Sequence, residues 1–172
     1  LAELGQPHRM ADLAAAVATC RAAGIASMVD LMIGGPGETP ATVAEGLEAV
    51  KLAGPDCAGA AIGIRLYPGL PLAAQMAREQ PLGGHPGILR RYEGPVDLFK
   101  PTFYVSPALG PRPAALVRKA IAGDQRFFPP SDLREAYAAE LRGHNYNENV
   151  PLQRAIAGGA RGAYWDILRR QA

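Results

Sequence analysis

The order of apolar and polar positions predicts a helix and then a buried strand at the start of this chain. Apolar residues at three- and four-residue spacing predict an amphipathic helix over residues 9–23. Residues 25–33 are almost continuously apolar, as in a parallel strand that is buried on both faces. Asp30 interrupts this run, and a buried carboxylate there would need a hydrogen-bonding partner. The apolar face of the helix consists of Leu13, Val17 and Cys20.

A glycine-rich turn and a second helix follow this strand. The turn GGPGET occupies residues 34–39. Thr39 before Pro40 is a favourable helix start, because threonine caps the first turn and proline fits the first helical position. Gly-Pro at residues 54–55 predicts where this helix ends. Its apolar face consists of Val43, Leu47 and Val50.

The order of strand, turn and helix then recurs. Residues 57–67 predict a second strand, residues 68–69 a Pro-Gly turn, and residues 72–79 a third helix. Strands that are joined by one helix over short connections run parallel, with right-handed crossovers. The pattern therefore predicts an α/β fold whose loops meet at the C-terminal ends of the strands, where ligands bind in such folds.

The second half of the chain is less regular. Residues 82–95 are rich in Gly, Pro and Arg and predict a loop, and residues 99–105 predict a short strand that Pro101 weakens. Further helices are predicted over residues 113–122, 132–142, 151–157 and 161–169. We therefore divide the chain into residues 1–80, which carry the strands, and residues 81–172, a mostly helical C-terminal extension.

Composition narrows the classes of function. The chain has 172 residues, 48% of them hydrophobic, and a net charge of +2, which is ordinary for a globular domain and argues against a nucleic-acid partner. No apolar stretch approaches the roughly 18 residues of a membrane-spanning helix. The two cysteines, Cys20 and Cys57, lie far apart and predict reduced thiols in a cytoplasmic protein, with a disulfide as the alternative.

The turn formed by Gly34, Gly35, Pro36 and Glu38 is the sharpest functional signal. Glycines let a ligand approach the backbone, and the helix that follows offers unpaired N–H groups to an anion. The turn lacks the Gly-Lys-Ser/Thr ending of a phosphate-binding loop and the GxGxxG spacing of a dinucleotide site. The alternative is a tight structural turn before a capped helix.

Arg65 and Tyr67 form the second candidate. They alternate with Ile64 and Leu66 and therefore share one face of the predicted strand. An arginine near the end of a strand could bind a carboxylate or a phosphate. The alternative is a structural ion pair between Arg65 and either Asp30 or Glu38.

Other catalytic signatures are missing from the sequence. His8, His85 and His144 are scattered and lack the spacing of metal ligands. There is no nucleophile elbow, and no pair of carboxylates at a spacing that suggests acid–base chemistry. The amide-rich segment at residues 144–149 is typical of a helix cap, and contact with a substrate is the alternative. We assign no catalytic residue and no metal ligand.

The order of helix, AGI, strand, GGPGET, helix, strand and IRLYPGLPL resembles the second half of a radical S-adenosylmethionine (radical SAM) barrel. It resembles in particular the branch that often carries an N-terminal cobalamin-binding domain. The resemblance covers residues 1–80 and extends loosely to residues 99–107. It implies a partial (β/α) barrel, to which this chain would contribute about two to three parallel strands. The implied cofactors of the intact enzyme are S-adenosylmethionine, a 4Fe-4S cluster and, in that branch, cobalamin.

The sequence departs from the family in one respect. The CxxxCxxC loop whose thiolates hold the cluster is absent. The resemblance therefore implies a C-terminal fragment that binds no cofactor alone, is inactive alone, and lines the pocket for S-adenosylmethionine and a small-molecule substrate. The residues that the resemblance places at this pocket are Gly34, Gly35, Pro36 and Glu38 after the first strand, and Ile64, Arg65, Leu66 and Tyr67 on the second.

Three further expectations remain open. A piece of a barrel exposes an unpaired strand edge, which predicts self-association. Without the resemblance, the turn is compatible with a non-catalytic module that binds a small anion. The helical half, which contains Trp165, is compatible with a protein-interaction domain.

Overall fold

The computed structural model describes residues 9–90, 92–128 and 149–171. The predicted helix over residues 132–142 lies outside these residues. Within them, the helices are α1 (Met10–Ala22), α2 (Pro40–Ala53), α3 (Pro71–Glu79), α4 (Pro113–Ile121), α5 (Val150–Ala157) and α6 (Tyr164–Arg169). The strands are β1 (Met28–Ile33), β2 (Cys57–Ile62), β3 (Ile64–Arg65), β4 (Phe103–Tyr104) and β5 (Phe127–Phe128).

Helix α2 begins and ends where its sequence signals predict. The Thr39 hydroxyl accepts a hydrogen bond from the Thr42 N–H, and the Thr42 hydroxyl accepts one from the Thr39 N–H. Pro40 occupies the first helical position, where its missing N–H has no consequence. Gly54 has φ +66° and terminates the helix in the left-handed conformation, which costs glycine little.

The strands β1, β2 and β5 form one parallel sheet in the order β1-β2-β5. Met28 lies opposite Cys57 and Ile33 opposite Ile62, so the two glycine-ended strands run side by side with their C-terminal ends together. β5 adds two residues to the other edge of β2. The expectation of an α/β fold with two to three parallel strands is confirmed.

The predicted second strand over residues 57–67 is wrong in its last part. The ladder of β2 ends at Ile62, and Gly63 follows with φ +100°. Beyond this glycine, β3 pairs antiparallel with β4 in a separate ribbon. A Cβ atom on Gly63 would lie 3.2 Å from the Cβ of Phe103, so glycine permits both the bend and the close approach of β4.

The parallel sheet has a covered face and an open face. The covered face consists of alternate residues that pack against α2 and α4, which contribute Val43, Leu47, Val50, Ala114, Val117 and Ile121 to the same core. The strand residues of the covered face are Val29, Leu31, Ile33, Ala58, Ala60, Ile62 and Phe127. Because paired residues of parallel strands point to the same side, the open face consists of Met28, Asp30, Met32, Cys57, Gly59, Ala61 and Phe128. Of these residues, Cys57 and Gly59 are buried.

The prediction that β1 is buried on both faces is wrong for the described residues. Met32 is 55% exposed, and Asp30 and Ala61 are also exposed. The Asp30 carboxylate lies over Gly59, where a Cβ atom would be 2.0 Å from Asp30 Oδ1. Asp30 therefore needs no buried partner, since water reaches it.

A second core lies around β3 and β4. Leu66, Met76, Ile88 and Tyr104 are its buried members, and α3 contributes Met76. The C-terminal helices α5 and α6 contact each other, and α6 also contacts β2. Helix α4 and strand β5, from the second half of the sequence, thus share a core with the first half. The division at residue 80 stays a prediction.

Among the described residues, no helix combines the length and the apolar composition that crossing a membrane requires.

Candidate functional site

The GGPGET turn is held together by its own glutamate. The Glu38 carboxylate accepts hydrogen bonds from the N–H groups of Gly34 and Gly35, the latter at 2.8 Å. Charge-assisted bonds of this kind are stronger than those between neutral groups. The N–H groups of Gly34 and Gly35 are therefore occupied by a side chain of the chain itself. Of the donors at the start of α2, which the sequence suggested for an anion, the Thr42 N–H donates to the Thr39 hydroxyl.

The segment after β4 braces the turn from the other side. The Ser106 N–H donates to the Gly34 carbonyl at 2.8 Å, and the Ser106 hydroxyl donates to the Glu38 carbonyl at 2.7 Å. A Cβ atom on Gly34 would lie 3.3 Å from the Cα of Val105, and Gly34 has φ +105°. Sequence reasoning missed Val105 and Ser106, because no local motif shows that residues about seventy positions apart will meet.

The structure brings the two predicted motifs to the same end of the sheet. The Gly63 N–H donates to the Ile33 carbonyl at 2.7 Å, which places the start of the second motif beside Gly34. The Leu66 N–H donates to the Thr102 carbonyl at 2.8 Å. Both motifs therefore lie against residues 102–106, at the C-terminal ends of β1 and β2.

The second motif alternates as predicted. Ile64 and Leu66 are buried, at 8% and 1% exposed, and pack in the interior. Arg65 is half-buried and Tyr67 is 45% exposed. Alternation of this kind begins at Ala61, which is exposed, and persists through the bend at Gly63. Arg65 and Tyr67 are thus the side chains of this motif that a ligand could reach, whereas Ile64 and Leu66 support the backbone beneath them.

Arg65 has no acceptor for its buried N–H group. Its guanidinium carbon lies 4.6 Å from the centroid of the Tyr67 ring, within the range of a cation–π contact. Its Nε is buried and has no hydrogen-bond partner. The structural alternative, an ion pair with Asp30 or Glu38, is not found among the described residues.

His85 has a structural role. It is 6% exposed, its Nδ1 accepts a hydrogen bond from the Gly87 N–H at 3.1 Å, and its ring packs edge-on against Tyr104. Burial also raises the pKa of the Tyr104 hydroxyl, which therefore stays protonated. His8 and His144 lie outside the described residues.

The cysteines do not fit an iron–sulfur cluster. Cys20 lies on α1 and Cys57 at the start of β2, and both are free thiols. Burial raises the pKa of the Cys57 thiol, which disfavours the thiolate that a metal needs. The sequence contains two cysteines in total, and no group of three His, Cys, Asp or Glu residues in the described ranges could hold a metal ion.

Two solved structures of the radical S-adenosylmethionine methyltransferase TsrM from Kitasatospora setae are similar to this chain. The structure with tryptophan and the S-adenosylmethionine analogue aza-SAM bound has a TM-score of 0.73 and 25% identity, and the match covers 95% of this chain. The structure with cobalamin and a [4Fe-4S] cluster bound has a TM-score of 0.70 and 22% identity. The chain spans 36% of the length of either TsrM chain.

No protein-family model and no curated protein matches the sequence. The likeness of fold nevertheless covers both halves of the chain, including the extension for which the sequence resemblance is loose. The chain is therefore similar over almost its whole length to part of a radical SAM enzyme, which confirms the resemblance that its sequence motifs show.

Proposed function

We propose that this chain supplies one wall of the cavity in which a radical SAM enzyme holds S-adenosylmethionine and a small-molecule substrate. The open face of the sheet carries this proposal. In a (β/α) barrel the helices cover the outer face of the strands, and the inner face encloses the site. In this chain α2 and α4 cover one face only, and Asp30, Met32 and Ala61 are exposed on the other.

The candidate site residues lie where such a cavity would open. Gly34, Gly35, Pro36 and Glu38 form the rim after β1, and Arg65 and Tyr67 present side chains after β2. Ile64 and Leu66 hold that rim in place from the interior. Ligands of α/β sheets bind beyond the C-terminal ends of the strands, which is the end that both motifs share.

The cofactors belong to the intact enzyme and not to this chain alone. Its two cysteines cannot hold a 4Fe-4S cluster, which in the intact enzyme would cleave S-adenosylmethionine reductively. A cobalamin, as in TsrM, would likewise come with the remainder of the enzyme. We expect the chain alone to be inactive, the partner to be a small molecule such as an amino acid, and the location to be cytoplasmic, without nucleic-acid or membrane partners.

The test fills the open face in the product of the complete gene, after anaerobic reconstitution with iron and sulfide. Ala61→Phe places a ring on the open face, whereas the matched Ala44→Phe places one on the exposed side of α2. We expect the first variant to lose S-adenosylmethionine binding and turnover while its cluster absorbance stays normal. The second should behave as wild type. Equal activity of the two variants would contradict the proposal.

The two other classes of function receive no support from the structure. An anion-binding turn would use N–H groups at the start of α2, where the Thr42 N–H already donates to the Thr39 hydroxyl, and Glu38 accepts from the N–H groups of Gly34 and Gly35. An interaction surface on α6 would need a patch of exposed apolar residues, but Ile167 is 3% exposed, Trp165 is half-buried, and of the apolar residues of this helix only Tyr164, at 47%, is exposed.

A further inference from the structure

We propose that Arg65 binds a carboxylate group of the ligand, with the Tyr67 ring holding the guanidinium in place. This inference rests on the proposed function, because it concerns a ligand of the same cavity. Burial of Nε removes water from an N–H group, and Arg65 makes no ion pair with any described residue. The two Nη groups also have no hydrogen-bond partner among the described residues and, unlike Nε, are not buried, so an anionic acceptor from a ligand can reach them.

The shape of the donor points to a carboxylate. Arginine offers the N–H groups of its two Nη atoms side by side in a plane, and the two oxygens of a carboxylate match this fork. The contact with the Tyr67 ring, at 4.6 Å, restricts the plane of the guanidinium. Tyr67 is 45% exposed, so the pair is open to a ligand.

A second Arg-x-Tyr sequence in the chain shows what a structural pair looks like. Arg90 lies 5.8 Å from the centroid of the Tyr92 ring, and its Nη1 donates to the Pro101 carbonyl at 2.9 Å. The Tyr92 hydroxyl donates to the Asp97 carbonyl at 3.1 Å. There the loop itself supplies the acceptors. No described residue supplies an acceptor for Arg65, although both pairs have the same Arg-x-Tyr spacing.

The carboxylate could belong to either of two ligands of the proposed cavity. S-adenosylmethionine has a carboxylate on its methionine part, and an amino-acid substrate has one on its α-carbon. The two sources share their chemistry at Arg65 and differ in the rest of the molecule. Each has an analogue that lacks only the carboxylate, namely decarboxylated S-adenosylmethionine and, for tryptophan, tryptamine.

The experiment uses NMR on the reconstituted product of the complete gene, as in the test of the proposed function, with labelled arginine N–H groups and methionine methyl groups. Arg65→Lys identifies the Arg65 signal by its loss. We expect millimolar tryptophan or S-adenosylmethionine to shift the Arg65 N–H signals, and tryptamine or decarboxylated S-adenosylmethionine to leave them in place. Arg65→Lys should weaken binding roughly 10- to 100-fold, because the charge stays and the fork is lost. The matched Arg90→Lys should bind as wild type does.

Three results would overturn the inference. They are an Arg65 signal that no carboxylate probe shifts, a larger response to inorganic phosphate than to any carboxylate, and full affinity in Arg65→Lys. If in the last case both ligands still shift the Met32 methyl signal on the open face, the cavity stands and only the role of Arg65 is wrong. If acetate shifts Arg65 while neither ligand shifts Met32, the anion site stands and the proposed cavity is wrong.

Discussion

The covered and open faces of the sheet alternate along the same strands and yet have different surroundings. Ile33, Ala58 and Ile62 are at most 7% exposed on the covered face, whereas Met32 is 55% exposed on the open face. Large apolar side chains on the open face, such as Met32 and Phe128, are residues that usually lie inside proteins. The apolar character of a strand residue therefore does not tell which face of this sheet is covered.

The largest expected effect on stability comes from a substitution in the core beneath the covered face. Leu47→Ala removes a side chain that is 1% exposed beneath the covered face, and we expect a loss of about 2–5 kcal/mol in the free energy of unfolding. Met32→Ala on the open face should change it by only about 0.5 kcal/mol or less. Urea unfolding followed by circular dichroism measures both. Equal losses would mean that the open face is buried in solution.

The next effect concerns the rim where both faces end. Gly34→Ala combines a left-handed backbone with a Cβ atom 3.3 Å from the Val105 backbone, and should destabilise the fold by about 1–3 kcal/mol. Gly69→Ala is the matched control, since Gly69 also has positive φ, +78°, but has nothing within 4 Å. It should cost only the conformational strain of about 1 kcal/mol. Thermal melts of the two variants test whether the contact with Val105 adds to the strain.

The smallest expected effect on stability concerns the residues just before β5, the strand that has one residue on each face of the sheet. Hydrogen bonds from the Arg126 side chain, at 2.5 and 3.0 Å, lower the pKa of the Asp124 carboxyl just before this strand. A carboxyl with a lowered pKa in the folded state stabilises the fold above its unfolded pKa of about 3.9, and this stabilisation is lost as pH falls through the folded value.

Asp124→Asn should therefore cost about 0.5–1.5 kcal/mol at neutral pH, since the pair is partly exposed. The difference between wild type and variant should vanish in acid. Urea unfolding at neutral pH and at a pH below the folded pKa provides the measurement. A difference that persists unchanged in acid would show that the carboxylate charge is not responsible.

Local signals account for what the sequence predicted well. The Thr39-Pro40 start and the Gly54 end of α2 depend on neighbouring residues only, and the structure has both. The parallel pairing of β1 and β2 follows from one helix joining two strands over short connections. The resemblance to radical SAM enzymes used the same local motifs, and the likeness of fold confirms it.

Non-local contacts account for what the sequence did not show. The bend at Gly63 depends on Phe103, and the bracing of the turn depends on Ser106. Apolar residues of the open face are as hydrophobic as those of the covered face, so β1 was predicted to be buried on both sides. The sequence also could not show whether Arg65 has an ion-pair partner. The Glu38 carboxylate was one candidate, but it accepts hydrogen bonds from the N–H groups of Gly34 and Gly35 instead.

The internal bonds of Glu38 have a consequence for the thermodynamics of recognition. A loop that becomes ordered only when a ligand binds loses conformational entropy on binding, and this loss makes the binding free energy less favourable. Here the carboxylate and the two glycine N–H groups fix the loop in advance. A molecule that binds beside Gly34 would therefore lose less affinity to ordering of this loop.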